Sequence, residues 1–105
     1  MDFKAMGDTL GLEEDEFREL IDLFMETGRN DYDSLKAALA GGDWDTAAKH
    51  AHTLAGASGN LGLMDLHTAA KGVEMAAIDQ KLAEASAQAA EMEAMFSTLA
   101  GFVQG

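Results

Sequence analysis

Apolar residues recur along this chain at helical spacing almost from end to end. Phe17, Leu20, Ile21, Phe24, Leu35 and Leu39 stand three, four, seven or multiples of those steps apart and predict a first long helix over Glu13 to Ala40. Gly28 and the polar run from Arg29 to Asp33 weaken its middle, which leaves a bend or a break open there, and Gly41-Gly42 ends it. Asp43 is placed to cap the next helix, with Asp45 adding negative charge to the first turn. Trp44, Ala47, Ala48, Ala51, Leu54, Ser58 and Leu61 then trace one face, and Asn60-Leu61-Gly62 supplies a stop. A third helix over Met64 to Ala77 turns Leu66, Ala69, Ala70, Val73 and Ala77 inward, before a turn at Asp79 and Gln80. Leu82, Ala85, Ala89, Met92, Phe96, Leu99 and Val103 alternate steps of three and four, the seam of a helix in an antiparallel bundle.

Short connections force neighbouring helices to run antiparallel. The expected fold is therefore all-α, an antiparallel up-down four-helix bundle, with a short N-terminal extra helix before Glu13 lying as a lid over one end. Composition agrees: proline is absent, and Val and Ile occur only as Ile21, Val73, Ile78 and Val103. With 48% apolar and 25% charged residues, the 105 residues are expected to form one domain over 1–105 that buries a modest core and folds alone. A closed four-helix core argues for a monomer.

Charge narrows the partners. Nineteen Asp and Glu against seven Lys and Arg give −12, a surface that repels phosphate backbones and anionic lipid, so neither nucleic acid nor a membrane is expected as a partner. An acidic surface also simply aids solubility. The chain has no cysteine, which removes disulfides, thiol nucleophiles and Cys-based metal sites and agrees with a reducing compartment. The start of the chain lacks a basic stretch followed by an apolar run, and no stretch approaches about 18 uninterrupted apolar residues, so a cytoplasmic location is expected.

Three histidines, His50, His52 and His67, are the candidate chemistry. At about 100° per residue, Ala48, Ala51 and Leu54 point inward, while Lys49, His52, Ala55, Gly56 and Gly59 share an outer stripe. His50 lies about 200° from His52, so the two rings cannot share a metal ion, which requires i,i+4 spacing, and no carboxylate motif supplies a metal site instead. His67 reads as a surface or edge histidine. Glycine within a helix costs about 1 kcal/mol relative to alanine. Gly56 and Gly59 therefore stand out: they serve either tight packing against a neighbouring helix or a bare face for a partner. The run from Gly56 to Gly62 is not a phosphate-binding loop, because no strand precedes it and no Gly-Lys-Ser/Thr follows.

The stretch Ala51-His52-Thr53-Leu54-Ala55-Gly56-Ala57-Ser58-Gly59-Asn60-Leu61-Gly62 resembles the signature of histidine-containing phosphotransfer (HPt) domains of bacterial phosphorelays, H-x-L-K-G-[SA]-[SA]-x-x-L-G. His52, Leu54, Gly56, Ala57, Ser58, Leu61 and Gly62 match, and Ala55 stands where the family commonly has lysine. The likeness covers about residues 13 to 103 and includes Glu74 after Val73, where an apolar-Glu pair is common.

The resemblance implies that His52 is the phosphoryl acceptor. It would take the group from the aspartyl phosphate of a receiver domain, in a response regulator or a hybrid histidine kinase, and pass it to another. Imidazole is substantially neutral at cellular pH, so a ring nitrogen lone pair can attack phosphorus. The resemblance further implies a carrier rather than an enzyme with kinase activity, and no cofactor, ATP or metal of its own. No receiver, kinase or nucleotide-binding segment is recognised, so donor and acceptor are expected to be separate proteins, docking around His52, Lys49, Ala55, Gly56 and Gly59. Lysine at position 55 would neutralise phosphoryl oxygens, and Lys49 is placed to take over part of that role. Ser58 points inward, where its hydroxyl is expected to bond the Leu54 carbonyl. Two alternatives stand beside the carrier: a degenerate docking module that binds a receiver without efficient transfer, and a plain helical adaptor. A kinase dimerisation domain would need two long helices and an ATP domain beyond them.

Overall fold

A computed structural model describes residues 2–104, and among them the chain forms α1 (Phe3–Thr9), α2 (Glu14–Ala40), α3 (Trp44–Asn60), α4 (Met64–Ile78) and α5 (Leu82–Gln104). The helix ends follow from the sequence. Asp2 accepts from the Ala5 amide at 3.1 Å, the Glu13 amide donates to the Glu16 carboxylate at 3.0 Å, and Asp43 accepts from the Thr46 amide at 3.3 Å. The hydrogen bonds from Thr46 hold the Asp43 carboxyl below the usual carboxylate range.

The turns after α2, α3 and α4 share one construction: Asp43 N–H donates to Ala38 C=O, Leu63 N–H to Ser58 C=O and Lys81 N–H to Ala76 C=O, each reaching back five residues. Such a turn needs a left-handed residue just past the helix. Gly42 and Gly62 supply it at φ 71° and 77°, and Gln80 adopts φ 57° without glycine's freedom.

α2, α3, α4 and α5 pack in ring order, with α5 returning to α2, so the long helices alternate up and down. Residues of α2 and α5 pair in opposite directions along the two helices. Arg18 donates to the carbonyls of Phe102 and Val103, Arg29 to Glu93, and the Tyr32 hydroxyl to Ala89 C=O at 2.6 Å. Phe3 of α1 packs edge-on against Phe17 and tilted against Phe102, so α1 covers the end of the bundle where α2 begins and α5 finishes. No described helix is long and apolar enough to cross a membrane.

Side-chain size divides the core. Phe17, Ile21, Phe24, Tyr32 and Leu35 from α2 meet Met92, Phe96 and Leu99 from α5, whereas α3 and α4 contribute mostly alanine: Ala47, Ala51 and Ala55 against Ala69, Ala70, Ala76 and Ala77. Three details depart from the sequence pattern. α2 runs through Gly28 without a break, because a Cβ there would stand 3.4 Å from the Phe24 and Phe96 rings, and the missing side chain admits those rings. Tyr32, inside the polar run, is buried between α2 and α5, and that burial pushes its phenol up to about 12. Leu20 lies at the edge of the apolar stripe and is 39% exposed rather than core.

The Arg29–Glu93 pair, at 2.9 Å, sets an acid-dependent part of stability. The Arg29 hydrogen bond holds the Glu93 carboxyl below its usual range. A carboxylate whose pKa is lower folded than unfolded adds stability above its unfolded pKa, near 4.3, and that stability disappears as pH falls through the folded value. Glu93→Gln is therefore expected to flatten the acid limb of a plot of melting temperature against pH below about pH 4.5. An acid limb as steep in the variant as in wild type would show that the pair contributes nothing.

Candidate functional site

His52 lies on α3 at the α4 side, with 68% of its side chain exposed. Its Nδ1 is 2.9 Å from Oε2 of Glu74 on α4, a side chain only 16% exposed. An ionised carboxylate can only accept, so Nδ1 is the donor to Glu74, and in the neutral imidazole that leaves the lone pair on Nε2, the other ring nitrogen. A second group completes the cluster. Lys71, one turn before Glu74 on α4, places Nζ 3.3 Å from Glu74 Oε1. The two carboxylate oxygens are thus divided between a histidine on one helix and a lysine on its own.

The small residues of the α3–α4 seam explain why Glu74 reaches His52: alanine faces allow the two helices to approach closely. The same approach corrects two of the residues that the spacing places on the outer stripe. Ala55 is buried, at 1% exposure, under α4. Its carbonyl accepts a hydrogen bond from His67 Nδ1 at 2.7 Å. Gly59 likewise faces α4, where a Cβ would stand 2.9 Å from His67 Nδ1, so this glycine is there for helix packing. The angular count placed these residues on α3 correctly but carried no information about which side α4 would cover.

Lys49 and Gly56 do lie on the open face with His52, and a Cβ at Gly56 would meet nothing within 4 Å. Ser58 is fully buried, and its hydroxyl donates to Leu54 C=O at 2.7 Å, as its inward position on the helix predicts. His50 is half-buried on the opposite side of α3, 3.4 Å from Asp31 of α2, so it takes no part in the His52 cluster. His67 is an edge residue joining α4 to α3.

The model of one protein family, the Hpt domain, matches residues 19–102, which span most of α2 and all of α3 and α4 and reach into the last turn of α5. The chain is a member of the Hpt domain family. No curated protein and no solved structure gives a significant match to it. Hpt domains are helical bundles that serve histidine phosphotransfer in two-component phosphorelays, interact with receiver domains, and are phosphocarriers rather than kinases. In this Hpt domain the histidine of the signature is the most exposed member of the His52–Glu74–Lys71 cluster.

Sequence reasoning singled out His52, Lys49 and Gly56, which the structure leaves on one open face, but passed over Lys71, and it noted Glu74 only through the family likeness. Nothing in the spacing within one helix could have joined them. The available signal was that Lys71 and Glu74 are three apart, on one face of a helix whose other face is apolar.

Proposed function

We propose that this Hpt domain is a phosphocarrier whose acceptor is His52, taking a phosphoryl group from the aspartyl phosphate of one receiver domain and passing it to another. The observation that carries this reading is the exposed ring with Nδ1 tied to Glu74 and Nε2 free. Nε2 attacks phosphorus, the P–N bond forms, and the bond from phosphorus to the receiver's aspartyl oxygen breaks, returning a carboxylate. The imidazole keeps its Nδ1 proton throughout. Phosphorylation at Nε2 makes the ring cationic, and the Glu74 carboxylate stabilises that charge where it develops. Transfer onward is the same step reversed, with the receiver's carboxylate as nucleophile.

Lys49, His52 and Gly56 form the docking face in this reading, with Gly56 leaving the helix surface bare one turn beyond the histidine. Ala55 and Gly59 act from beneath it, as packing residues that fix α3 against α4. The chain works as one domain over residues 1–105, as a cytoplasmic monomer. Its net charge of −12 disfavours nucleic acid as a partner.

One observation favours the docking module as a second reading: Ala55 brings no cation to the position where the family commonly has lysine. Both readings are tested by incubating the chain with phosphorylated receivers and following the label. Label that moves to wild type but not to His52→Gln supports the carrier. Receiver binding with no label on either protein supports the docking module.

A further inference from the structure

Lys71 has no part in the transfer step above, yet it is bonded to the carboxylate that holds the acceptor ring. On the basis of the phosphocarrier reading, we infer that Lys71 supplies from α4 the positive charge that the family pattern places at position 55 on α3, and does so by neutralising Glu74. Glu74 creates a conflict at the site. Its carboxylate fixes the Nδ1 proton and so frees Nε2, but the same negative charge lies beside the place where an anionic phosphoryl group arrives, on a chain already carrying −12. Two like charges a few ångströms apart repel even in water, and several-fold more strongly where solvent is partly excluded. Glu74 is largely shielded, so its charge is not dispersed by water alone.

Lys71 resolves the conflict without disturbing the histidine. It binds Oε1, the oxygen that His52 does not use, and half of its own side chain remains open to solvent. Ala55, buried under α4, cannot carry a cation, and Lys49 makes no ion pair among the described residues. The cation joined to the acceptor is therefore the one on α4. As an ion pair on a helix surface, Lys71–Glu74 is worth little to folding, so its loss is expected to be visible in transfer and not in stability. Lys71 is a positioning residue, acting on the reaction through Glu74.

The test is a double-mutant cycle in the label-transfer assay, with labelled phosphoreceiver at saturating concentration. Lys71→Met is expected to slow the transfer rate constant about tenfold, and Lys71→Arg to restore it to within about threefold of wild type. In a Glu74→Gln background, where no charge needs neutralising, Lys71→Met should cost less than about twofold. Lys71→Met transferring as fast as wild type would overturn the inference. So would an equal loss with and without the Glu74 charge, or failure of arginine to rescue. Wild type that takes no label at all would instead overturn the phosphocarrier reading, and this inference with it.

Discussion

His52→Gln is expected to abolish phosphoryl acceptance, lowering label transfer from a phosphorylated receiver by at least roughly three orders of magnitude, to background. The loss follows from chemistry rather than folding. Glutamine offers an amide nitrogen whose lone pair is delocalised into its carbonyl, so nothing at position 52 can attack phosphorus. The exposed side chain contributes little to the core, and an exposed substitution of this kind changes stability by about 0.5 kcal/mol or less. The melting temperature is therefore expected to stay within about 4 °C of wild type, measured by circular dichroism. Residual labelling of His52→Gln at the wild-type rate would mean that another residue accepts the group. His50 is the first to examine, although its contact with Asp31 turns it to the other side of α3.

The largest expected effect on stability lies at the opposite side of the bundle. Phe96 of α5 is buried and stacks on Phe24 with ring centroids 5.9 Å apart, while Tyr32 lies tilted against it at 5.5 Å. Its ring also fills the space that Gly28 leaves open on α2. Phe96→Ala removes that ring and leaves a cavity between two long helices, one that rigid neighbours can close only in part. Such truncations cost about 3–5 kcal/mol. A domain of this size is stabilised by only about 5–15 kcal/mol in total, so the melting temperature should fall by roughly 15–25 °C, seen by thermal denaturation at neutral pH. A fall under about 5 °C would show that the α2–α5 aromatic cluster is not where the bundle is held.

The contrast between these two variants mirrors the division of the molecule. Large side chains between α2 and α5 supply burial, and small ones between α3 and α4 supply proximity, which is what brings Glu74 to His52. The architecture was largely legible in the sequence because helix periodicity and end signals are local. Asp43, Gly42 and Gly62 mark their turns through hydrogen bonds and φ angles that involve only a few neighbouring residues. Gly28 was misleading for the complementary reason: its significance lies in Phe96, far along the chain and packed against it only after folding.

The site was legible one helix at a time. Counting 100° per residue placed His52 outward and Ser58 inward, both as found. It could not reveal that α4 lies over Ala55 and Gly59, that His67 reaches back to the Ala55 carbonyl, or that Lys71 and Glu74 meet His52 across the seam. Those facts depend on how closely two helices pack and at what register. Many alanines signal a close approach without fixing which pairs of residues meet.

The central claim is chemical: Glu74 holds the Nδ1 proton, so the phosphoryl group is carried on Nε2 of His52. The most direct measurement is nuclear magnetic resonance of the phosphorylated chain with 15N-labelled histidine, which identifies the bonded nitrogen through its coupling to phosphorus. The expected result is a single phosphohistidine at His52 bonded through Nε2. A phosphoryl group on Nδ1 of His52, or on another residue, would contradict the account.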